Sequence, residues 1–269
     1  SLMSDSVPPP LIGSDDPSPA TTFHAEGRAP AVVLCDHAGR AIPKALDRLG
    51  LPEEQLDRHI AWDIGAADVT RRLAMLLDAP AVLSTYSRLL VDLNRGLDDP
   101  TLIPAISDGT VVPGNRSLDA ADVERRLAAF SRPYHEAIAR VIAGMWERGV
   151  PPAVISIHSF TPVMHDFHRP WHVGILWDQD PRIPVPLMEK LRRDPGLYIG
   201  DNQPYSGRNT GGGTIETHAT PAGLPNALIE IRQDLIDTPA KAFAWAERLA
   251  GPLSEILADP ELYRVEFFP

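Results

Sequence analysis

Two histidines stand where metal chemistry would need them. His37 follows the apolar run Ala31-Val32-Val33-Leu34-Cys35, and His158 follows Ala153-Val154-Ile155-Ser156-Ile157. Neutral imidazole is a common zinc ligand. One histidine at a strand end is adequately explained by a hydrogen bond to a loop carbonyl, but two on different strands favour a shared metal. A catalytic zinc takes three protein ligands and keeps a position for water. The acidic candidate is Asp63, with His59 four residues earlier as the substitute ligand. On a helix, positions i and i+4 share a face, so both could aim at one point. The alternative is a solvated hydrogen bond on an exposed face, against which stand the apolar neighbours Ile60, Ala61, Trp62 and Ile64.

Other residues suit acid–base work or carboxylate recognition. Arg88 and the pair Asn94-Arg95 bracket the apolar stretch Leu89–Leu93. A guanidinium fork fits a carboxylate bidentately, although Arg88 or Arg95 could instead pair with Asp92, Asp98 or Asp99. Glu230 interrupts an apolar strand, and a bare buried charge is costly, so it must be functional, hydrogen-bonded, or neutralised by Arg232 two residues on. Gly211-Gly212-Gly213-Thr214 resembles a phosphate loop only superficially, since no Gly-Lys-Ser/Thr follows. Neither a dinucleotide fingerprint nor a Gly-x-Ser-x-Gly elbow occurs. His135 and His218 could line a pocket or serve as satisfied structural histidines, while His165, His168 and His172 read as a polar loop.

The elements that must position these residues alternate. Short apolar runs predict strands at 31–35, 81–83, 89–91, 153–157, 173–177, 197–200 and 227–232. Helical spacing predicts helices over 53–78, 118–148 with a kink near Pro133, 184–194 and 239–257. Runs apolar on both faces suit buried parallel strands, and the alternation predicts an α/β fold, a three-layer αβα sandwich around a mixed, mainly parallel sheet. In such sheets functional residues gather beyond the carboxyl ends of strands. Residues 1–29, with Pro8-Pro9-Pro10 and no apolar period, read as a flexible tail, and Ser1-Leu2 before Met3 as a cloning remnant. Residues 30–269 read as one catalytic domain.

Composition narrows the partners. The 269 residues are 43% hydrophobic, enough to bury a sizeable core, and carry a net charge of −11. That acidity argues against nucleic acid and leaves small molecules as the partner class. The single cysteine excludes an intramolecular disulfide framework and any cysteine-rich metal site. With no membrane-length apolar run and no signal peptide, the expected location is the cytoplasm. Only three of the 25 Lys and Arg residues are lysines, which would suit carboxylate recognition but is better read as the bias of a GC-rich coding sequence.

Together these residues resemble the N-formylglutamate amidohydrolase family. The matching segments are Asp36-His37-Ala38-Gly39 with Ile42-Pro43, His59 to Ala66, Tyr86-Ser87-Arg88 through Asn94-Arg95, Ile157 to Phe160, Asp201 to Tyr205, and Glu230 to Asp234. They run in unbroken order from about residue 30 to 258. The resemblance implies a zinc-carboxypeptidase-like fold and one Zn2+, with another divalent metal as the alternative. It implies Glu230 as general base and Asn94-Arg95 as the grip on a substrate carboxylate. The carboxypeptidase-type His-x-x-Glu ligand pair is absent, because position 40 is Arg40, so the acidic ligand must come from elsewhere, which supports Asp63. The expected metal set is therefore His37, Asp63 and His158. Arg88 is expected at the oxyanion, and Asn202, Tyr205, Thr214 and His218 join Asn94 and Arg95 as substrate-binding positions. The expected reaction is hydrolysis of a small N-acyl amino acid, N-formyl-L-glutamate first, to formate and L-glutamate. The alternatives are a peptidase or amidase on another carboxylate-bearing amide, and a non-catalytic amino-acid-binding protein.

Overall fold

Strand formation follows the apolar runs. In a computed structural model, which describes residues 7–208 and 210–269, strand β1 is Ala20–Phe23, β2 is Ala31–Cys35 and β3 is Ala81–Ser84. Two small hairpins pair β4 (Ile106–Ser107) with β5 (Thr110–Val111), and β7 (Val163–Met164) with β8 (Phe167–His168). Between them comes β6 (Ala153–Phe160), buried along its whole length, and after them β9 (Val173–Leu176), β10 (Ile199–Asp201) and β11 (Asn226–Arg232). The main sheet has seven strands in the order β1-β3-β2-β6-β11-β9-β10. It is mixed and mainly parallel: only β1 against β3 and β11 against β9 run antiparallel.

Alternation of side chains sends odd and even residues of β2, β6 and β11 to opposite faces. On one face Val33, Ile157 and Ile229 pack with helices α2 (Ala66–Leu77), α5 (Pro184–Leu191) and α7 (Pro239–Leu257); the short α1 (Glu53–Leu56) precedes them. On the other face Val32, Leu34 and Val154 pack with Tyr134, Ile138 and Ile142 of α4 (Arg132–Glu147), which follows α3 (Ala120–Arg126). The α/β sandwich expected from the alternation is therefore present. A one-turn helix, α6 (Thr214–His218), lies beside the site. Asp119 caps α3 reciprocally with Asp122, and a π-turn at Leu127–Ser131 joins α3 to α4 just before Pro133, the expected kink.

Several expectations are corrected. The amino-terminal segment is not a tail up to residue 29: Ala20–Phe23 pairs with β3, Leu11 is buried, and the Tyr86 hydroxyl donates to the Pro17 carbonyl at 2.6 Å. An edge strand needs ladder partners on one side only, so it forms without the apolar run that marks a central strand. The proposed cloning remnant lies outside the described residues. The helix expected over 53–78 stops at Leu56, and the chain turns through 57–65 before α2. Gly65, at φ +80°, permits that turn, and a Cβ there would collide with the Ile236 carbonyl. Leu89–Val91 is a buried turn, not a strand, closed by the Leu90 N–H on the Ser87 carbonyl at 3.1 Å. No helix among the described residues is long and apolar enough to cross a membrane.

Candidate active site

The parallel strands β2 and β6 deliver His37 and His158 to the same end of the sheet. His37 lies just past β2, and His158 sits within β6, level in register with Glu230 of β11. Asp63 arrives from the turn between α1 and α2, where its N–H donates to the His37 carbonyl at 2.9 Å. The structure thus brings together His37, Asp63 and His158, all fully buried, with potential ligand atoms within 4.8 Å of one another. Both imidazoles present Nδ1 to one carboxylate oxygen: Asp63 Oδ2 is 3.0 Å from His158 Nδ1 and 3.4 Å from His37 Nδ1.

Each ring is held from behind by a second carboxylate. His37 Nε2 lies 2.7 Å from Asp92 Oδ1, and His158 Nε2 lies 2.9 Å from Asp36 Oδ2. Asp92 and Asp36 accept from the Nε2 side of each ring, which leaves each Nδ1 facing the cluster's centre, where a metal would take the place of a proton. The carboxylates are fixed in turn. The Tyr134 and Thr214 hydroxyls donate to Asp36 Oδ1 at 2.7 and 2.9 Å, and Arg88 donates to Asp92 Oδ2 at 2.8 Å. The Asn94 N–H donates to Asp92 at 3.0 Å, and the Ser159 N–H to Asp63 at 3.2 Å.

Burial alone would raise these acids, but their partners prevail. The hydrogen bond and charge of His158 hold Asp36 down to about 2. Burial also opposes ionisation of Asp63 and Asp92, yet the histidines hold Asp63 down, and Arg88 with His37 holds Asp92 well below the usual carboxylate range. The same contacts overcome burial at the imidazoles and raise both, His158 the more. Glu230 behaves oppositely: burial pushes it up to about 7. Its Oε2 has no hydrogen-bond partner among the described residues. Arg232 does not neutralise it, because that guanidinium grips Asp234 at 2.7 and 3.1 Å.

The remaining expected residues divide. A cavity of about 400 Å3 opens from the cluster, and Arg88, Asn94, Arg95 and Tyr205 line it along with Glu230. Arg88 also lies 3.6 Å from Asp63 Oδ1. The Asn94 side-chain carbonyl accepts from the Thr214 N–H at 2.9 Å, and Arg95 Nε stands 4.0 Å from Asp99. Asn202, Thr214 and His218 are not brought to the cavity wall. The Asn202 carbonyl oxygen accepts the Trp177 and Gly207 N–H groups at 2.9 and 3.0 Å, which fixes a loop. Thr214 is buried behind Asp36, and His218 stacks on His135 with Nε2 2.9 Å from its Nδ1. Burial, then the neighbouring His135, pushes His218 down to about 4. His59 does not substitute for Asp63: its Nε2 lies 3.0 Å from Asp108, because α1 ends before either residue and the i,i+4 geometry is lost.

Sequence reasoning assigned no role to Asp36, Tyr134 or Ser159, and saw Asp92 only as a partner for Arg88. Asp36 had a usable signal, since it adjoins His37. Tyr134 had none, lying 98 residues from the carboxylate it supports.

Known proteins share this arrangement's scaffold. The model of the N-formylglutamate amidohydrolase family matches residues 29–237. An N-formylglutamate deformylase of Pseudomonas putida is 28% identical over 260 residues, covering 88% of this chain and 92% of the relative. The crystal structure of a gene product from Agrobacterium tumefaciens superposes with a TM-score of 0.85 at 33% identity, covering 91% of this chain and 99% of the other. An N-formylglutamate amidohydrolase from Ralstonia eutropha JMP134 shares the fold at a TM-score of 0.65 and 23% identity, covering 90% and 97% of the two chains. With its family match spanning most of the folded chain, this protein belongs to the N-formylglutamate amidohydrolase family.

Proposed function

We propose that this protein is a zinc-dependent amidohydrolase that cleaves the acyl–nitrogen bond of small N-acyl amino acids, N-formyl-L-glutamate being the reference substrate. The observation that carries the reading is the convergence of His37 Nδ1, His158 Nδ1 and an Asp63 oxygen, with a buried, unpartnered Glu230 oxygen on the neighbouring strand. Two imidazole nitrogens and one carboxylate oxygen form a donor set that suits catalytic zinc. The carboxylates behind each ring fix the tautomer such a site requires. Bound zinc supplies a Lewis acid and lowers the pKa of its water to about 7.

The chain's own groups do the rest. Glu230 takes a proton from water as the oxygen attacks the acyl carbon, then returns it to the nitrogen as the C–N bond breaks. Formate and the free amino acid leave. Arg88, anchored by Asp92 and lining the cavity, stabilises negative charge developing on the carbonyl oxygen. Arg95 and Asn94 hold the α-carboxylate, with the Asn94 carboxamide fixed through Thr214.

The test follows from Arg95. Lysine keeps its charge but lacks the planar fork. Arg95→Lys is therefore expected to lower kcat/KM for formate release from N-formyl-L-glutamate by roughly 10- to 100-fold, the worth of a charge-assisted contact. Amidating the α-carboxylate should impose a similar loss on the parent enzyme and little more on the variant. If the losses are additive, Arg95 is not the carboxylate grip but a partner of Asp99.

A further inference from the structure

The cavity runs on past the catalytic cluster along β11. Glu230, Leu228 and Asn226 alternate onto one face of that strand and all line it, with Leu176 of β9 paired beside Leu228. Four residues of strand place Asn226 about 13 Å from Glu230. A lysyl or arginyl chain reaches further along this run than a glutamyl one, and it ends in hydrogen-bond donors.

The far end offers acceptors. Asn226 is only 7% exposed, and its Nδ2 donates to the Leu224 carbonyl at 3.0 Å. That bond turns the side-chain oxygen of Asn226 the other way, and this oxygen has no hydrogen-bond partner among the described residues. Asp178 and Glu266 stand in the same wall, half-buried, and make no ion pair among the described residues. The nearby guanidinium of Arg182 is already committed: it grips Asp180 at 2.8 and 3.0 Å and donates to the Gly223 carbonyl at 2.9 Å. It also donates to the Arg264 carbonyl, which helps hold segment 264–268 against the cavity, as does the Glu266 N–H on the Gly223 carbonyl at 3.0 Å. The lining arginines, Arg88 and Arg95, belong instead to the stretch around Asp92. A second substrate carboxylate entering this far end would meet like charge, whereas a cation would meet two carboxylates and the Asn226 amide oxygen.

We propose that Asn226, Asp178 and Glu266 form a subsite for a cationic group, an ammonium or guanidinium, on the substrate arm extending from the reacting amide. The inference rests on the hydrolase reading above and specifies its substrate class: N-acyl amino acids with basic side chains are preferred to the formylglutamyl reference. The experiment compares N-formyl-L-lysine, its uncharged near-isostere N-formyl-L-norleucine and N-formyl-L-glutamate on the zinc-loaded enzyme. The expected order of kcat/KM is lysine, norleucine, glutamate, with lysine about tenfold above norleucine. In the double variant Asp178→Asn, Glu266→Gln that lysine-to-norleucine ratio should fall close to one. Calorimetric binding of free L-lysine, L-norleucine and L-glutamate reads the same order without turnover. Failure of all three formyl compounds to react would overturn the hydrolase reading, and the binding order would still decide the subsite. Equal affinity for lysine and norleucine, a preference for glutamate, or an unchanged ratio in the double variant would overturn the subsite.

Discussion

His37→Ala and His158→Ala are each expected to lose bound zinc and activity together. Either change removes one of three donors and leaves a buried carboxylate, Asp92 or Asp36, without its imidazole partner. A complete structural zinc site is worth about 10–16 kcal/mol over four ligands, so one ligand corresponds to roughly 2.5–4 kcal/mol, or on the order of 10²–10³-fold in affinity. Asp92→Asn and Asp36→Asn form the graded comparison. They keep all three donors and alter only the group behind a ring, for which a loss of roughly 10- to 100-fold is expected. The measurements are zinc per chain in metal-buffered solution, kcat/KM, and circular dichroism to establish that each variant is folded. Full zinc occupancy in both folded alanine variants would remove the histidines from the metal site.

Glu230→Gln should behave in the opposite way, keeping zinc and losing turnover. The amide preserves the shape of the side chain but cannot accept a proton from water at neutral pH, and removal of a general base lowers kcat by roughly 10²–10⁴-fold. A structural role for Glu230 would require a partner, yet its Oε2 has none among the described residues and Arg232 is engaged with Asp234. The unfolding midpoint is therefore expected to move little. A variant that is less stable but turns over normally per zinc-loaded molecule would show that Glu230 is not the base.

How much of this was legible in the sequence depends on whether the signal is local. Strands β2 and β6 were legible because every residue in them is buried and apolar runs mark such strands directly. Helix α7 was legible from its helical spacing over 239–257, with Pro239 in its first turn. Since these strands carry or precede His37 and His158, the histidine pair could be found from strand ends alone. Asp63 was selected for a reason the structure does not support. The apolar residues Ile60 and Ala61 mimic a helical stripe, yet they are buried in a turn, and Asp63 reaches the histidines through a loop. Asn202 and His218 show the converse. Their side chains are taken up by backbone N–H groups and by His135, contacts between residues 25 and 83 positions apart in one case each, which no local pattern announces. The far wall of the cavity was equally hidden, because Asn226, Asp178 and Glu266 come to line one cavity only through the folding of separate segments.

The strand positions of His158 and Glu230 also bear on how the molecule breathes. They sit side by side on β6 and β11, each with a hydrogen-bonded neighbour on both sides in a seven-stranded sheet, while Arg95 and Tyr205 ride on loops. Partial openings of a native protein begin in exposed loops and reach interior strands only at free energies near that of global unfolding. The two loops can therefore open and reclose many times while His158 and Glu230 stay in place. On the proposed reading, the carboxylate grip sits on the first parts to open, and the base on the last.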